Sequence, residues 1–132
     1  MKKINLLFTA LLLMCYVGTA KAQHFEIDGI FYNITDSNSK TVEVTYKGSS
    51  YDSYLNEYTG CVVIPERVTY NGTTYSVTSI GYGAFSYCSG LKEVHITDLD
   101  AWKNISFGDD FANPFYNNNA KLYLNGVEVT DY

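Results

Sequence analysis

His95 stands seven residues after Cys88, and a thiol beside an imidazole is the pairing from which a cysteine hydrolase draws its nucleophile. The local pattern separates the two. In the run from Cys88 to Ile96, the apolar Leu91, Val94 and Ile96 turn inward with Cys88, which leaves His95 outside and beyond hydrogen-bond reach. Asp98 with Asp100 and Asp109 with Asp110 supply carboxylate pairs, but neighbours this close in turn-rich sequence cap helices and loops rather than flank a substrate. Asp36 and Asn38 have the spacing that begins a calcium loop, yet the glycine and closing glutamate of that motif do not follow in register. No His or Cys has metal-ligand spacing, and no triad, P-loop or zinc pattern is present. The chain therefore reads as non-catalytic, with no cofactor and no metal.

The elements that position these residues are short. Asp28-Gly29 lies between Phe25-Glu26-Ile27 and the run Ile30 to Ile34, and it accepts the positive φ of a tight hairpin turn. Thr41 to Tyr46 alternates as a third strand, and Lys47 to Gly60 reads as an exposed loop. Arg67 to Tyr70 and Thr74 to Val77 surround Asn71-Gly72-Thr73, a second hairpin. Val77 to Ile96 fits neither an extended helix nor a long strand. It reads as one turn of a coil, with a bend at Ile80-Gly81, a tight turn at Ala84-Phe85-Ser86, Cys88 inward and a strand burying Leu91, Val94 and Ile96. Such a unit needs a neighbour stacked on it. Asp98 caps a short helix whose buried face carries Leu99 and Trp102, and Asn125-Gly126 turns the chain back through Val127-Glu128-Val129.

Ile64 to Ile96 spans 32 positions, and setting aside the nine residues Thr69 to Val77 of an inserted hairpin over 68–77 leaves 23. Ile96 to Leu124 spans 28. Both fall within the range of roughly 20 to 29 residues for leucine-rich repeats. Strands Val62–Ile64, Leu91–Ile96 and Leu122–Leu124 then stack in parallel, and their outward residues form one shallow face. Aligning Ile64, Ile96 and Leu124 sets Cys61 beside Glu93 and Lys121, and Val63 beside His95 and Tyr123. Val63, Glu93, His95, Lys121 and Tyr123 make up the candidate binding face, with Glu93 and Lys121 paired across strands and His95 with Tyr123 as its main contact. A solvated sheet face with no ligand accounts for the same residues. A second candidate is glycan stacking by Tyr51, Tyr54 and Tyr70, drawn from a crowd that includes Tyr46, Tyr58 and Tyr75. Tyrosines covering a half-buried sheet with their hydroxyls wet are the plainer account.

Residues 1–22 read as a signal peptide, with basic Lys2-Lys3, an apolar run from Ile4 to Val17, and Ala20-Lys21-Ala22 as the cleavage site. The run is short for a bilayer span, and Met14 before Cys15 argues against a lipid anchor. Export is the expectation, to the periplasm, the cell surface or the medium. Loss of Lys2, Lys3 and Lys21 leaves 6 basic against 14 acidic residues, net −8, which argues against nucleic acid or an anionic membrane as partner. Roughly 110 residues remain, rich in Tyr, Val, Ile, Thr and Asn, enough for one mainly β domain with a modest core. Strand alternation turns Cys61 outward while Cys88 falls inward, so two free thiols are expected.

Val62-Val63-Ile64-Pro65, Val77 to Gly81, Ala84 to Leu91 and Val94-His95-Ile96 resemble the repeat wording of the BspA-like leucine-rich repeat proteins, surface proteins of oral and gut anaerobes. Phe25 to Tyr58 resembles the strand-rich leader of some members. The resemblance implies a short solenoid of about one full and one variant repeat, with a capping region over 23–60, a repeat region over 61–132 and a closing hairpin over 122–129. It also implies adhesion or recognition of a host or matrix protein; a glycan-binding module using the Tyr-rich loops is the alternative, and a vestigial product a third reading. Longer members continue through many repeats, whereas this chain stops at Asp131-Tyr132. The expectation is a capped small domain, and a terminal strand edge left uncovered implies self-association.

Overall fold

The computed structural model describes residues 24–47, 58–116 and 118–131. Among these residues ten short strands and one short α-helix follow in chain order: β1 (His24–Ile27), β2 (Ile30–Asp36), β3 (Thr41–Thr45), β4 (Gly60–Val63), β5 (Arg67–Tyr70), β6 (Thr73–Ile80), β7 (Leu91–Ile96), α1 (Leu99–Lys103), β8 (Ser106–Phe107), β9 (Lys121–Leu124) and β10 (Val127–Val129), with a single 3-10 turn at Asp110–Ala112 between β8 and β9. The fold is mainly β. Three two-residue turns, Asp28-Gly29, Asn71-Gly72 and Asn125-Gly126, join β1 to β2, β5 to β6 and β9 to β10. All six residues have φ between 49° and 84°, the paired positive values that match the twist of a hairpin.

The strands form two sheets. One runs β10-β9-β7-β4, with β4, β7 and β9 parallel and β10 antiparallel at the end. The other runs β1-β2-β3-β6-β5, with β8 also on β6. It contains a second parallel ladder, in which β6 pairs with β3 on one side and β8 on the other. The hairpin expected over 68–77 forms as β5 and the first half of β6, but β6 runs on to Ile80 and its second half is the middle rung of this ladder. The leader is thereby continuous with the rest through β3.

Each parallel rung of the second sheet feeds one of the first: β3 precedes β4, β6 precedes β7, and β8 precedes β9. The bend after each rung repeats. Gly81 N–H donates to the Val44 carbonyl at 2.7 Å, and Gly108 N–H donates to the Ile80 carbonyl at 2.9 Å, one coil further on. A side chain at Gly108 has no room, since a β-carbon there lies 2.7 Å from the Tyr82 nitrogen.

The irregular apolar spacing of Val77 to Ile96 has a common cause in both ladders. Val42 opposes Val77 but Glu43 opposes Ser79, so Thr78 is an extra residue and Val77 and Ile80, three apart, both point inward. Gly60 opposes Leu91 but Cys61 opposes Glu93, so Lys92 is extra and Leu91 and Val94 both point inward. Such bulges reset the alternation of a strand. Val42, Val44, Ile80, Leu91, Val94 and Leu122 are fully sequestered in the resulting core. Asp98 caps α1 by accepting from Ala101 N–H at 2.9 Å. The Trp102 ring packs edge-on against Phe107 and Phe115. No helix among the described residues is long and apolar enough to cross a membrane.

Candidate functional site

The outward residues of β4, β7 and β9 lie in two rows. Cys61 opposes Glu93, which opposes Lys121, and Val63 opposes His95, which opposes Tyr123. Register alone sets this, because parallel strands at equal offset carry every second side chain to the same face. The first-sheet face thus assembles Val63, Glu93, His95, Lys121 and Tyr123, with Val63 half exposed at its edge.

The cross-strand ion pair expected between Glu93 and Lys121 does not form. Glu93 Oε1 instead meets His95 Nε2 at 2.7 Å along the same strand, and Lys121 Nζ lies 3.8 Å from Glu128 Oε1 on β10. The cause is the closing hairpin. Glu128 opposes Tyr123, so its carboxylate lies diagonally beside Lys121 and competes with Glu93 for the ammonium. Both contacts are solvated and contribute little to stability. His95 is also fixed from its other side, where its ring stacks on Tyr123 with centroids 4.9 Å apart and planes 8° from parallel.

Cys61 is exposed and Cys88 buried, and neither is in a disulfide. Cys88 donates its S–H to the Ser86 carbonyl at 3.6 Å from inside the core, while His95 sits on the outer face, so the two do not form a nucleophile–base pair. The carboxylates likewise have local duties. Asp98 caps α1, and Asp109 Oδ1 accepts from Gly83 N–H at 3.0 Å. Asp36 accepts from Asn38 N–H, Ser39 N–H and the Ser39 hydroxyl, bonds that hold its carboxyl below the ordinary range.

Tyr51 and Tyr54 lie outside the described residues. Tyr70 is half-buried, one face of its ring stacked on Phe25 at 4.2 Å and 5°. Tyr58 and Tyr75, counted with the surface tyrosines in the sequence, are core residues at 3% and 9% exposure. The Tyr58 hydroxyl accepts from Phe31 N–H at 3.0 Å and donates to the Thr45 carbonyl at 2.7 Å. Burial raises the phenol pKa of Tyr58 and of Tyr32 well above the ordinary value.

One grouping escaped the sequence reading. Ligand atoms of Cys61, Glu93 and His95 all lie within 4.8 Å of one another. Cys61 and His95 are 34 positions apart, so linear spacing carries no sign of it. The strand alignment does: Cys61 beside Glu93, with His95 two residues further on the same face, is already a trio.

No protein-family model matches the chain, and no curated protein matches it. Among solved structures it is similar to a leucine-rich repeat protein from Bacteroides ovatus, at 30% sequence identity and a TM-score of 0.51. The match covers 78% of this chain and 24% of that one, so the chain spans about a quarter of its neighbour's length. This likeness supports a leucine-rich-repeat type of β fold.

Proposed function

We propose that the chain is an exported, non-catalytic leucine-rich repeat module, related to the BspA-like proteins, that recognises a protein partner through the outward face of β4, β7 and β9. In this reading the two parallel ladders are two faces of a short solenoid whose successive coils each supply one rung to both, and β10 closes its end. The observation that carries it is the row Val63–His95–Tyr123: an exposed valine followed by two rings locked face to face across adjacent strands. Pre-ordered aromatic surface loses little freedom on binding, so it suits a recognition face better than long flexible side chains do. The likeness to the Bacteroides ovatus leucine-rich repeat protein supports the same reading.

The test is binding of the full chain to a panel of extracellular-matrix proteins and to a glycan array, comparing the parent with His95→Ala, Tyr123→Ala and Tyr70→Ala. Protein binding that drops tenfold or more with His95→Ala and Tyr123→Ala and is unchanged by Tyr70→Ala supports the proposal. Glycan binding lost with Tyr70→Ala, with no protein bound, assigns the chain to the alternative sugar-binding class. Export is tested separately, by N-terminal sequencing of the protein recovered outside the cytoplasm, where a start at Gln23 is expected.

A further inference from the structure

We propose that Cys61, Glu93 and His95 form a divalent metal site of the zinc type on the outward face of β4 and β7. The inference goes beyond the recognition reading, since it requires no protein partner. It rests on three donors of different chemistry brought together by strand register: a thiol, a carboxylate and an imidazole whose ligand atoms lie within 4.8 Å of one another. In a tetrahedral zinc site, with bonds of about 2.0 to 2.3 Å, neighbouring ligand atoms stand roughly 3 to 4 Å apart, so small side-chain rotations suffice. Glu93 Oε1 and His95 Nε2 already face each other at 2.7 Å, and opening that contact makes room for an ion between them.

The surroundings favour such an ion. Sulfur, nitrogen and oxygen donors together suit zinc and its borderline neighbours rather than calcium or magnesium, which take oxygen. A thiolate and a carboxylate balance a dication. The nearest cation in the row, Lys121, is drawn to Glu128 and does not occupy the Glu93 carboxylate. Tyr123 stacks on His95 and holds the plane of its imidazole. Three protein ligands on an exposed face leave the fourth tetrahedral position to solvent, the arrangement of an open rather than a closed zinc site.

The test titrates the full chain with zinc against a chromophoric chelator, and with cobalt by absorption spectroscopy. The expected result is one ion per chain, with a thiolate-to-cobalt charge-transfer band in the near ultraviolet. Cys61→Ser should abolish that band and weaken zinc binding at least tenfold, and His95→Ala and Glu93→Gln should each weaken it while the circular dichroism stays that of the parent. Cys15→Ser should bind as the parent does. The proposal is overturned if the parent takes up no zinc from the chelator, if Cys61→Ser binds as tightly as the parent, or if Cys15→Ser removes the signal. None of these readouts involves a protein ligand, so the recognition reading stands or falls separately.

Discussion

Replacing Tyr58 by Phe removes one oxygen and leaves the ring, which separates hydrogen bonding from packing. Phe31 and Thr45 face each other across β2 and β3, and at this pair the Tyr58 hydroxyl bridges the two strands, accepting from one backbone and donating to the other. Tyr58→Phe leaves the Thr45 carbonyl without this partner in a residue 3% exposed, and the Phe31 N–H without it in a half-buried one. An unsatisfied buried group costs about 1–3 kcal/mol, and water reaches the Phe31 side, so a loss of about 2 kcal/mol is expected. For a domain of this size that is on the order of 10 °C in Tm. The pH dependence gives an independent check. Burial raises the folded-state pKa of Tyr58 and Tyr32 above the ordinary 10.0, so above that pH the unfolded chain releases protons that the folded chain keeps. Stability is therefore intact below about pH 10 and falls as pH rises, by about 1.4 kcal/mol per unit for each phenol until the folded-state value is reached. Tyr58→Phe should halve that slope. Urea unfolding followed by circular dichroism, at neutral pH and in steps above pH 10, measures both effects. A neutral-pH loss below about 0.5 kcal/mol together with an unchanged alkaline slope would refute the bridging role, since surface changes alone fall in that range.

Two further substitutions probe the coil geometry. Gly108→Ala places a methyl 2.7 Å from the Tyr82 nitrogen and 3.2 Å from the Gly81 carbonyl carbon, backbone that must shift, and should cost about 1–3 kcal/mol by overpacking. Gly81→Ala meets first the Glu43 carboxylate, nearest atom 2.8 Å, the end of a flexible side chain that can swing away at the expense of its hydrogen bond from Asn33 Nδ2, so its cost in chemical denaturation should be smaller; equal costs would contradict the steric distinction between flexible side chain and fixed backbone. Asp98→Ala removes the α1 cap and should lose about 1 kcal/mol, with Asp98→Asn recovering most of it in the same assay.

Much of the arrangement was legible because it depends on local chemistry. The Asp28-Gly29, Asn71-Gly72 and Asn125-Gly126 turns, the Asp98 cap, the outward Cys61 and the inward Cys88 each follow from a few adjacent residues. The two outward rows were legible for a different reason: inward Ile64, Ile96 and Leu124 set the phase of three strands together. The second ladder was not. Its pairing of β3 with β6 joins residues such as Val44 and Ile80, and the bulge at Thr78 hides the alternation that marks a strand. Ion pairing was misread because Glu128, on a strand whose partner is settled only by the closing turn, outcompetes Glu93 for Lys121. The Tyr58 hydroxyl is placed by two backbone partners distant in sequence, Phe31 N–H and the Thr45 carbonyl, which no local residue pattern announces.

Trp102 is the one tryptophan in the chain, and it sits between β7 and β8 with Phe107 and Phe115 edge-on to its ring. Its emission therefore reports the coil nearest the C-terminal end, while ionisation of Tyr58 and Tyr32, the two phenols whose pKa burial raises, reports the junction of β2 and β3 at the other. In a stacked array whose coils touch only their neighbours, the two ends can melt apart; in a cooperative unit they cannot. Superimposable unfolding curves from tryptophan fluorescence and tyrosinate absorbance would mean that the two ladders couple all coils into one transition, and separated curves would mean that fraying begins at one end.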